Sequence, residues 1–340
     1  MNQRLLSLVC CPACGGDLAL ASGHGGGETD EGRLRCGCGT TYPIRGGIPR
    51  LLSMTRVPPG ATSSRFFLEQ RRTQRNFGKQ WRYFSKMTDV FETDLFRYLG
   101  QVEPAFFQGK LGLDVGCGFG RHAYYANQLG AEMVGVDFSE AIESAAANLR
   151  GSQGVHLVQA NLYQLPFRPR TFDFIYSLGV LHHLPDPEAG FRALVPLLKP
   201  GGVIMIWVYS SVRRGVNQLL EWVRGVTTRL PAPAVKWVSL AAGVVDYGGF
   251  VLPYRFLRSL LAIGPGVERI AWNRLKLYSR YPFEVVWADW FDRLGAPLRA
   301  YYDAPTLQRW LADTGLVNPQ VSPTGVYGWS AHGQAPVVRV

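Results

Sequence analysis

The sequence predicts an α/β protein built on a doubly wound parallel sheet, with a small cysteine-rich module before the sheet and a helical insertion within it. Three observations support this fold class. Five of the six cysteines lie between residues 10 and 38. Short apolar runs alternate with helix-like segments from residue 111 to residue 209, which is typical of parallel strands joined by helices. Between residues 210 and 300 that alternation gives way to amphipathic stretches separated by prolines and glycines.

Composition indicates a folded protein with one main domain and added pieces. The chain has 340 residues, of which 47% are hydrophobic and 18% charged. The formal net charge is +11, and residues 210–280 hold eleven Arg or Lys against three acidic residues, which favours an anionic partner near that segment. Only LLSLV separates Arg4 from the cysteines, which is too short for a secretory signal, so we expect a cytoplasmic, reducing location.

The elements before the main sheet follow from local composition. Residues 1–55 are rich in glycine and cysteine and form the first module, and the run RVPPGATSS marks a linker at 56–64. Residues 65–110 mix aromatic and basic side chains, as in FFLEQRRTQRNFGKQWRYF, and predict one or two helices. We interpret them as a helical lid.

Residues 111–209 hold five predicted strands, LGLDVG, EMVGVDF, VHLVQAN, FDFIYSLG and GVIMIWVY, with helices between them. Residues 210–300 form the helical insertion. Residues 301–340 complete the sheet, beginning with a helix that Asp303 caps and that stops at Gly315. Because Asp246 interrupts the most apolar run, WVSLAAGVV, we expect no transmembrane segment, although aromatic and arginine residues in the insertion are compatible with peripheral membrane contact.

A glycine loop follows the first predicted strand. Asp114 ends that strand, and Gly116, Gly118 and Gly120 follow at alternate positions before a helix. Glycines there let a ligand approach backbone N–H groups. The third glycine comes one position earlier than in G-x-G-x-x-G, which weighs against a phosphate site. Asp137 ends the second strand, where a carboxylate can accept both ribose hydroxyls of NAD or S-adenosylmethionine.

In order and spacing, LDVGCGFG, GVDFS, VQANLYQLPF and FDFIYSLGVLHHLPDPEAGFRALVPLLKPGG resemble the successive motifs of class I S-adenosylmethionine-dependent methyltransferases with a type 11-like core. The resemblance implies a Rossmann-like sheet and S-adenosylmethionine as cofactor. It implies that Asp137 binds the ribose, that Phe138 lies beside the adenine, and that Asn161 and Leu162 meet the adenine edge. It also implies that the methionine moiety lies by Asp114, Gly116, Gly118 and Gly120. Arg121 or an aromatic residue of the lid would contact the methionine carboxylate. Ser177 and Leu178 would lie under the sulfonium.

Two histidines are the candidates for acid–base chemistry. Methyl transfer is an in-line displacement, so a base is needed only where the acceptor arrives protonated. His182 and His183 follow the fourth strand in GVLHHLPDP, and either could take a proton near neutral pH. A structural role in the loop is the alternative for both.

The cysteines suggest a closed metal site. Cys11-Pro-Ala-Cys14 and Cys36-Gly-Cys38 supply two thiolate pairs, which indicates tetrahedral structural zinc. The run LLSLVCCPACGGDL…LRCGCGTTYPIRGGIPRLL resembles the Trm112-like zinc-binding domain, whose free-standing relatives bind and stabilise methyltransferases, so we expect this copy to dock on its own catalytic domain.

The second cysteine pair is one residue shorter than the C-x-x-C of that family. Three alternatives follow: Cys36 reaches the metal through a tighter turn, Cys10 replaces a ligand, or the site has lost its metal. We favour the first, with Cys11, Cys14, Cys36 and Cys38 as ligands.

These features lead to one hypothesis with two alternatives. We expect a methyltransferase that modifies an oxygen or nitrogen of a small-molecule, glycan or lipid-linked acceptor, because the insertion is large and aromatic. The basic charge and the zinc module favour a tRNA or rRNA methyltransferase as the alternative. A non-catalytic protein that binds the cofactor or activates a partner is the third.

Overall fold

The structure is a computed structural model that describes residues 1–23, 28–53, 64–100, 102–212, 214–260, 273–325 and 327–337. Most of the linker predicted at 56–64 lies outside these ranges. The described elements form one mixed sheet with helices on both faces, as the alternating pattern predicts.

The N-terminal module is a short helix followed by four antiparallel strands. The helix α1 spans Gln3–Leu8, and the strands are β1 (Leu18–Gly23), β2 (Gly32–Cys36), β3 (Thr41–Arg45) and β4 (Ile48–Leu51). Asn2 caps α1 through its side-chain oxygen, which accepts from the backbone N–H of Leu5.

The lid region consists of two helices, α2 (Ser64–Tyr83) and α3 (Val90–Leu99). Each buries one face, and Gly100 ends α3 with a φ of 74°, a left-handed value that glycine adopts without strain. The predicted helices at this position are therefore present.

The central sheet forms where the sequence predicts it. Its strands are β5 (Leu111–Val115), β6 (Glu132–Asp137), β7 (Val155–Ala160), β8 (Phe172–Leu178) and β9 (Leu198–Tyr209). The helices α4 (Arg121–Gln128), α5 (Ala141–Asn148) and α6 (Pro187–Leu194) connect them. All five strands run parallel, and β5 is buried along its whole length, as expected for a strand covered on both faces.

The insertion is helical, and the C-terminal segment is a helix followed by two strands. The insertion contains α7 (Arg214–Thr227), α8 (Ala232–Asp246), α9 (Leu252–Leu260), α10 (Asn273–Tyr278) and α11 (Phe283–Gly295). The helix α12 (Ala304–Asp313) precedes β10 (Val317–Pro323) and β11 (Gly328–Gln334). Asp303 caps α12 by accepting from the Thr306 N–H at 3.1 Å, as predicted.

The module and the central sheet form one eleven-stranded sheet over the described residues, in the order β1-β2-β3-β4-β7-β6-β5-β8-β9-β11-β10. The junction is parallel pairing of β4 with β7, with Arg50 opposite Gln159 and Leu51 opposite Ala160. Gln164 Nε2 also donates to the Pro12 carbonyl at 2.6 Å. The expectation that the module docks on the catalytic domain is confirmed.

The length argument against a membrane-spanning helix in the insertion is wrong. The helices α8 and α9 are joined by a π-helical turn, Tyr247–Val251, so residues 232–260 form a continuous 29-residue helix that is long and apolar enough to cross a membrane by length and composition. Asp246 does not shorten it, because that carboxylate packs against the protein, where Arg274 and Trp290 donate to it. Length therefore does not exclude a span, and length alone does not show one.

Candidate active site

A cavity of about 1270 Å³ lies at the carboxyl ends of the parallel strands. The loops after β5, β6, β7, β8 and β9 form its floor, and α2 and the insertion helices cover it. Its volume exceeds the roughly 300–1,000 Å³ that is usual for one small ligand. The cavity therefore has room for a cofactor together with an acceptor.

The glycine loop lines one wall of the cavity. Gly116 has a φ of 79°, and a Cβ atom there would lie 2.4 Å from Val180. Gly118 has a φ of 57°, and a Cβ atom would lie 3.2 Å from the Trp81 indole nitrogen of the lid. Only glycine combines a positive φ with the absence of a Cβ atom, so the loop backbone is free to approach a ligand.

Asp137 holds this loop in place. Its Oδ2 accepts from the Gly118 N–H at 2.9 Å, and its Oδ1 accepts from the backbone N–H and hydroxyl of Ser139 at 2.7 and 2.6 Å. Burial raises the pKa of this carboxyl. Since two carboxylate oxygens offer about four acceptor positions, one remains for a ligand hydroxyl.

The helix α2, which the sequence predicts as part of a lid, reaches the adenine side of the predicted cofactor site. Gln70 Nε2 donates to Asn161 Oδ1 at 3.0 Å, and the Tyr163 N–H donates to the same oxygen at 3.2 Å. Gln74 Nε2 donates to the Phe138 carbonyl at 2.8 Å. The Asn161 oxygen is therefore already engaged, and the contribution of Gln70 and Gln74 was not apparent from the sequence.

Arg121 opens α4 and lies among three aromatic rings. Its guanidinium carbon is 5.1 Å from the ring centres of Trp81 and Phe91 and 5.3 Å from that of Phe119. Such packing orients a cation without neutralising it. Arg121 also lines the cavity, where it can meet an anionic group.

Eight of the eleven residues predicted to bind the cofactor line the cavity: Gly116, Gly118, Arg121, Asp137, Phe138, Asn161, Leu162 and Leu178. The other three do not line it, but each is a chain neighbour of a residue that does. Gly120 precedes α4, and Ser177 donates to the Val115 carbonyl at 3.1 Å. Asp114 accepts from the Tyr176 hydroxyl at 3.3 Å, and burial raises its pKa to about 7.

The structure separates the two histidines. His183 lines the cavity and packs against Phe77 of the lid, with ring centres 4.8 Å apart. His182 is wholly buried with its ring centre 3.9 Å from that of Tyr209, and neither of its ring nitrogens has a hydrogen-bond partner among the described residues. Burial lowers the pKa of both.

Asp292 completes a polar cluster that the sequence did not reveal. It lies on α11 of the insertion, and its Oδ1 is 3.6 Å from His183 Nε2. Its Oδ2 accepts from the Tyr209 hydroxyl at 2.6 Å and from Arg299 at 3.0 Å. No motif marks Asp292, because the fold of the insertion brings it to the end of the sheet.

The four cysteines predicted as ligands converge. The sulfurs of Cys11, Cys14, Cys36 and Cys38 all lie within 4.8 Å of one another, with Cys11 to Cys38 at 3.9 Å and Cys14 to Cys36 at 3.4 Å. A tetrahedral site with Zn–S bonds of about 2.3 Å needs sulfurs about 3.8 Å apart. The cluster therefore fits zinc, and Cys10 is not part of it.

Comparisons with known proteins agree with this geometry. Residues 113–206 match the family described as a methyltransferase domain, and residues 2–47 match the Trm112p-like protein family. Ubiquinone biosynthesis O-methyltransferase of Thiobacillus denitrificans is 33% identical over 167 residues, 48% of this chain and 67% of that protein.

Two further relatives show how the similarity is distributed. An uncharacterized protein of Synechococcus sp. is 38% identical over 246 residues, 70% of this chain and 53% of that protein. Probable tRNA methyltransferase 9B of Mus musculus is 28% identical over 48% of this chain and 36% of that protein. The chain spans about half or less of the length of these two relatives.

The fold and the glycine loop define a class I methyltransferase sheet whose cofactor is S-adenosylmethionine. The chain belongs to the S-adenosylmethionine-dependent methyltransferase family, and it carries a Trm112-like zinc-binding module at its N-terminal side.

Proposed function

We propose that this protein transfers the methyl group of S-adenosylmethionine to a hydroxyl oxygen of an apolar acceptor, with His183 as the base that takes the hydroxyl proton. The observation that carries this proposal is the pair formed by His183 Nε2 and Asp292 Oδ1, 3.6 Å apart at the cavity wall. When bound, S-adenosylmethionine supplies an electrophilic methyl group. The eight lining residues named above would hold it.

The hydrogen bonding of His183 leaves Nε2 as an acceptor. Its Nδ1 lies 2.7 Å from the Leu298 carbonyl, which can only accept, so Nδ1 carries the hydrogen. Burial lowers the pKa of His183 to about 4, while Asp292 acts in the opposite direction. The ring is therefore neutral near pH 7, with its Nε2 lone pair free to take a proton.

Asp292 stabilises the charge that His183 gains. Burial acts to raise the pKa of Asp292, but His183, Arg299 and the Tyr209 hydroxyl together hold it below its ordinary value. The carboxylate thus stays ionised beside the ring that becomes cationic. Its Oδ1 has no hydrogen-bond partner among the described residues, so an acceptor hydroxyl or a bound water can occupy the space.

The part of the cavity wall that the insertion helices form favours an apolar acceptor. Leu219, Leu220 and Val223 of α7 and Ala242 and Val245 of α8 line the cavity together with Phe250. Apolar walls with few convergent polar groups are typical of sites for small apolar ligands. We therefore place small-molecule and lipid-linked acceptors ahead of glycans. A four-thiolate site suits a reducing compartment, which supports the predicted cytoplasmic location.

The test combines one substitution with a label. The wild type is incubated with labelled S-adenosylmethionine and an organic-solvent extract of host cells, and we expect label in the extract. His183→Asn keeps a donor towards Leu298 and should lower kcat by about 10²- to 10⁴-fold. Cofactor affinity, measured by calorimetry, should not change. A variant with wild-type kcat would overturn the role of His183.

RNA is the second candidate acceptor, because one relative is named a probable tRNA methyltransferase and the net charge is +11. An RNA methyltransferase should bind bulk RNA with an affinity that falls steeply as salt rises. Label from S-adenosylmethionine would then enter the RNA fraction and not the solvent extract.

A further inference from the structure

Exposed apolar side chains are concentrated on the insertion. Among the described residues, thirteen of the nineteen exposed large hydrophobic side chains lie between residues 214 and 260. Trp222 is 77% exposed and Trp237 is 70% exposed. We call the exposed surface of α7, α8 and α9 the apolar face. A patch of this kind on one side of a folded protein marks a site of interaction.

The spacing of these residues shows that the face is continuous along the helices. Leu219, Trp222 and Val226 recur at helical intervals on α7, and Phe256 and Leu260 do so on α9. The opposite side of α8 packs inwards through buried Val235 and Asp246, and Arg224 of α7 is also buried. On α9, Arg255 donates to the Ser279 and Tyr281 carbonyls. The helices are therefore amphipathic and lie on the protein surface.

The charges beside the face are basic. Residues 214–260 contain six Arg or Lys and two acidic residues, Glu221 and Asp246, and one of the six, Arg224, is buried. Both acidic groups are engaged within the protein, Glu221 with Arg224 and Asp246 with Arg274. Arg229 is exposed just beyond the end of α7. Tryptophans beside arginines on an apolar helix surface match the interface of a bilayer that contains anionic lipids.

The mouth of the cavity lies in this same face. Leu219, Val245 and Phe250 are 65%, 66% and 53% exposed, and all three also line the cavity. A molecule that approaches across the apolar face therefore reaches the cavity without crossing a polar rim at these positions.

We propose that the apolar face docks on the surface of an anionic lipid bilayer and that the cavity opens towards the lipid, so that an apolar hydroxylated acceptor reaches His183 from the membrane. The docking stands on the exposed residues alone, whereas the route of the acceptor rests on the proposed function. The 29-residue helix lies along the interface and does not span the bilayer, because a span would carry Asp246 away from Arg274 into hydrocarbon.

A second copy of the chain is a poorer occupant. A two-fold interface through this face would set the basic residues of one copy, Arg229 among them, against the same basic residues of the other. An anionic headgroup layer instead complements these cations and accepts the apolar side chains.

Vesicle flotation of the full-length protein tests the docking without cofactor or acceptor. We expect binding to vesicles of phosphatidylcholine with about one-third phosphatidylglycerol, and weaker binding to pure phosphatidylcholine or as salt rises to about 1 M. The double variant Trp222→Ser/Trp237→Ser should lower the partition coefficient by about tenfold or more. Both side chains are mainly exposed, so the variant should keep its cofactor affinity.

Leu68→Ser is the matched control, since Leu68 is 62% exposed on α2, outside the apolar face. Its vesicle binding should equal that of the wild type. The proposal is overturned if anionic vesicles do not bind the protein, or if Leu68→Ser loses as much binding as the double variant. It is also overturned if light scattering shows that the wild type is a dimer through this face and that the double variant is a monomer. Vesicle binding without methyl transfer to any lipid extract would leave the docking intact and refute the proposed function.

Discussion

Asp137 organises the loops around it. Its carboxylate joins the end of β6 to the glycine loop through Gly118 and to the next turn through Ser139. His183 is placed in a comparable way, because the Leu298 carbonyl sets its tautomer and Asp292 faces its free nitrogen. Sequence motifs singled out both Asp137 and His183, but they gave no sign of the partners that position the two side chains.

Asp137→Ala should weaken S-adenosylmethionine binding by about 1.5–3 kcal/mol, because a charge-assisted ribose contact is lost. The glycine loop also loses its anchor at Gly118. Isothermal titration calorimetry measures the change, and Asp137→Asn, which keeps an oxygen acceptor, should lose less. Unchanged affinity in Asp137→Ala would refute the assignment of this carboxylate to the ribose.

The pH dependence of kcat/KM should report His183. Its pKa is lowered to about 4, so the base is unprotonated above that pH and becomes inactive as the pH falls through it. We expect the acidic limb of the profile well below the ordinary histidine value of about 6.5. Asp292→Asn removes the charge that raises this pKa, so the limb should move to still lower pH. A limb that stays in place in that variant would contradict the pairing.

At the scale of single elements, a short turn explains how the C-x-C pair takes part in a four-sulfur cluster. The Cys36 N–H donates to the Thr40 carbonyl at 3.0 Å, and the Gly39 N–H donates to the Cys36 carbonyl at 3.0 Å. Gly39 has a φ of 88°, which permits this tight turn. The tighter-turn alternative thus accounts for the missing residue, and β3 and β4 continue from the cluster to the edge of the central sheet.

Cys38→Ser should lower zinc content and thermal stability, because one thiolate of a closed site is lost. Metal analysis by mass spectrometry and a thermal melt measure the two effects. Cys10→Ala is the control: its thiol is buried outside the cluster, so the variant should retain one zinc per chain. Zinc loss in Cys10→Ala equal to that in Cys38→Ser would make Cys10 a ligand.

At the scale of the whole molecule, burial of polar groups couples stability to pH. His122, His182 and His183 are buried, and burial lowers the pKa of each. Unfolding exposes them to water, where their pKa is about 6.5, so the unfolded chain binds more protons below that pH. These groups therefore make the free energy of unfolding fall as the pH drops below about 6.5.

His182→Phe tests this linkage at one position. The phenyl ring would keep the contact with the Tyr209 ring but could not take up a proton on unfolding. We expect the variant to be more stable than the wild type at about pH 5 and to differ less at about pH 7. Urea unfolding at the two pH values measures the difference. A stability gap independent of pH would show that His182 does not contribute to the acid sensitivity.

The sequence predicted the local features of this protein because local chemistry produces them. The five central strands follow from runs of apolar residues, the glycine loop from three spaced glycines, and the cap of α12 from Asp303. The cysteine cluster was predictable from the spacing of two pairs. The length argument against a membrane-spanning helix failed, because it treated Asp246 as an interruption when that side chain faces the protein.

Contacts between distant segments were settled only by the tertiary structure. Asp292 meets His183, Gln70 meets Asn161, and β4 joins β7, although no periodicity or motif links the members of these pairs. The outward direction of Trp222 and Trp237 belongs to the same group, since an aromatic residue at helical spacing suits a core as well as a surface. Periodicity specifies which side chains share a face, whereas only the packing of the whole chain specifies what that face meets.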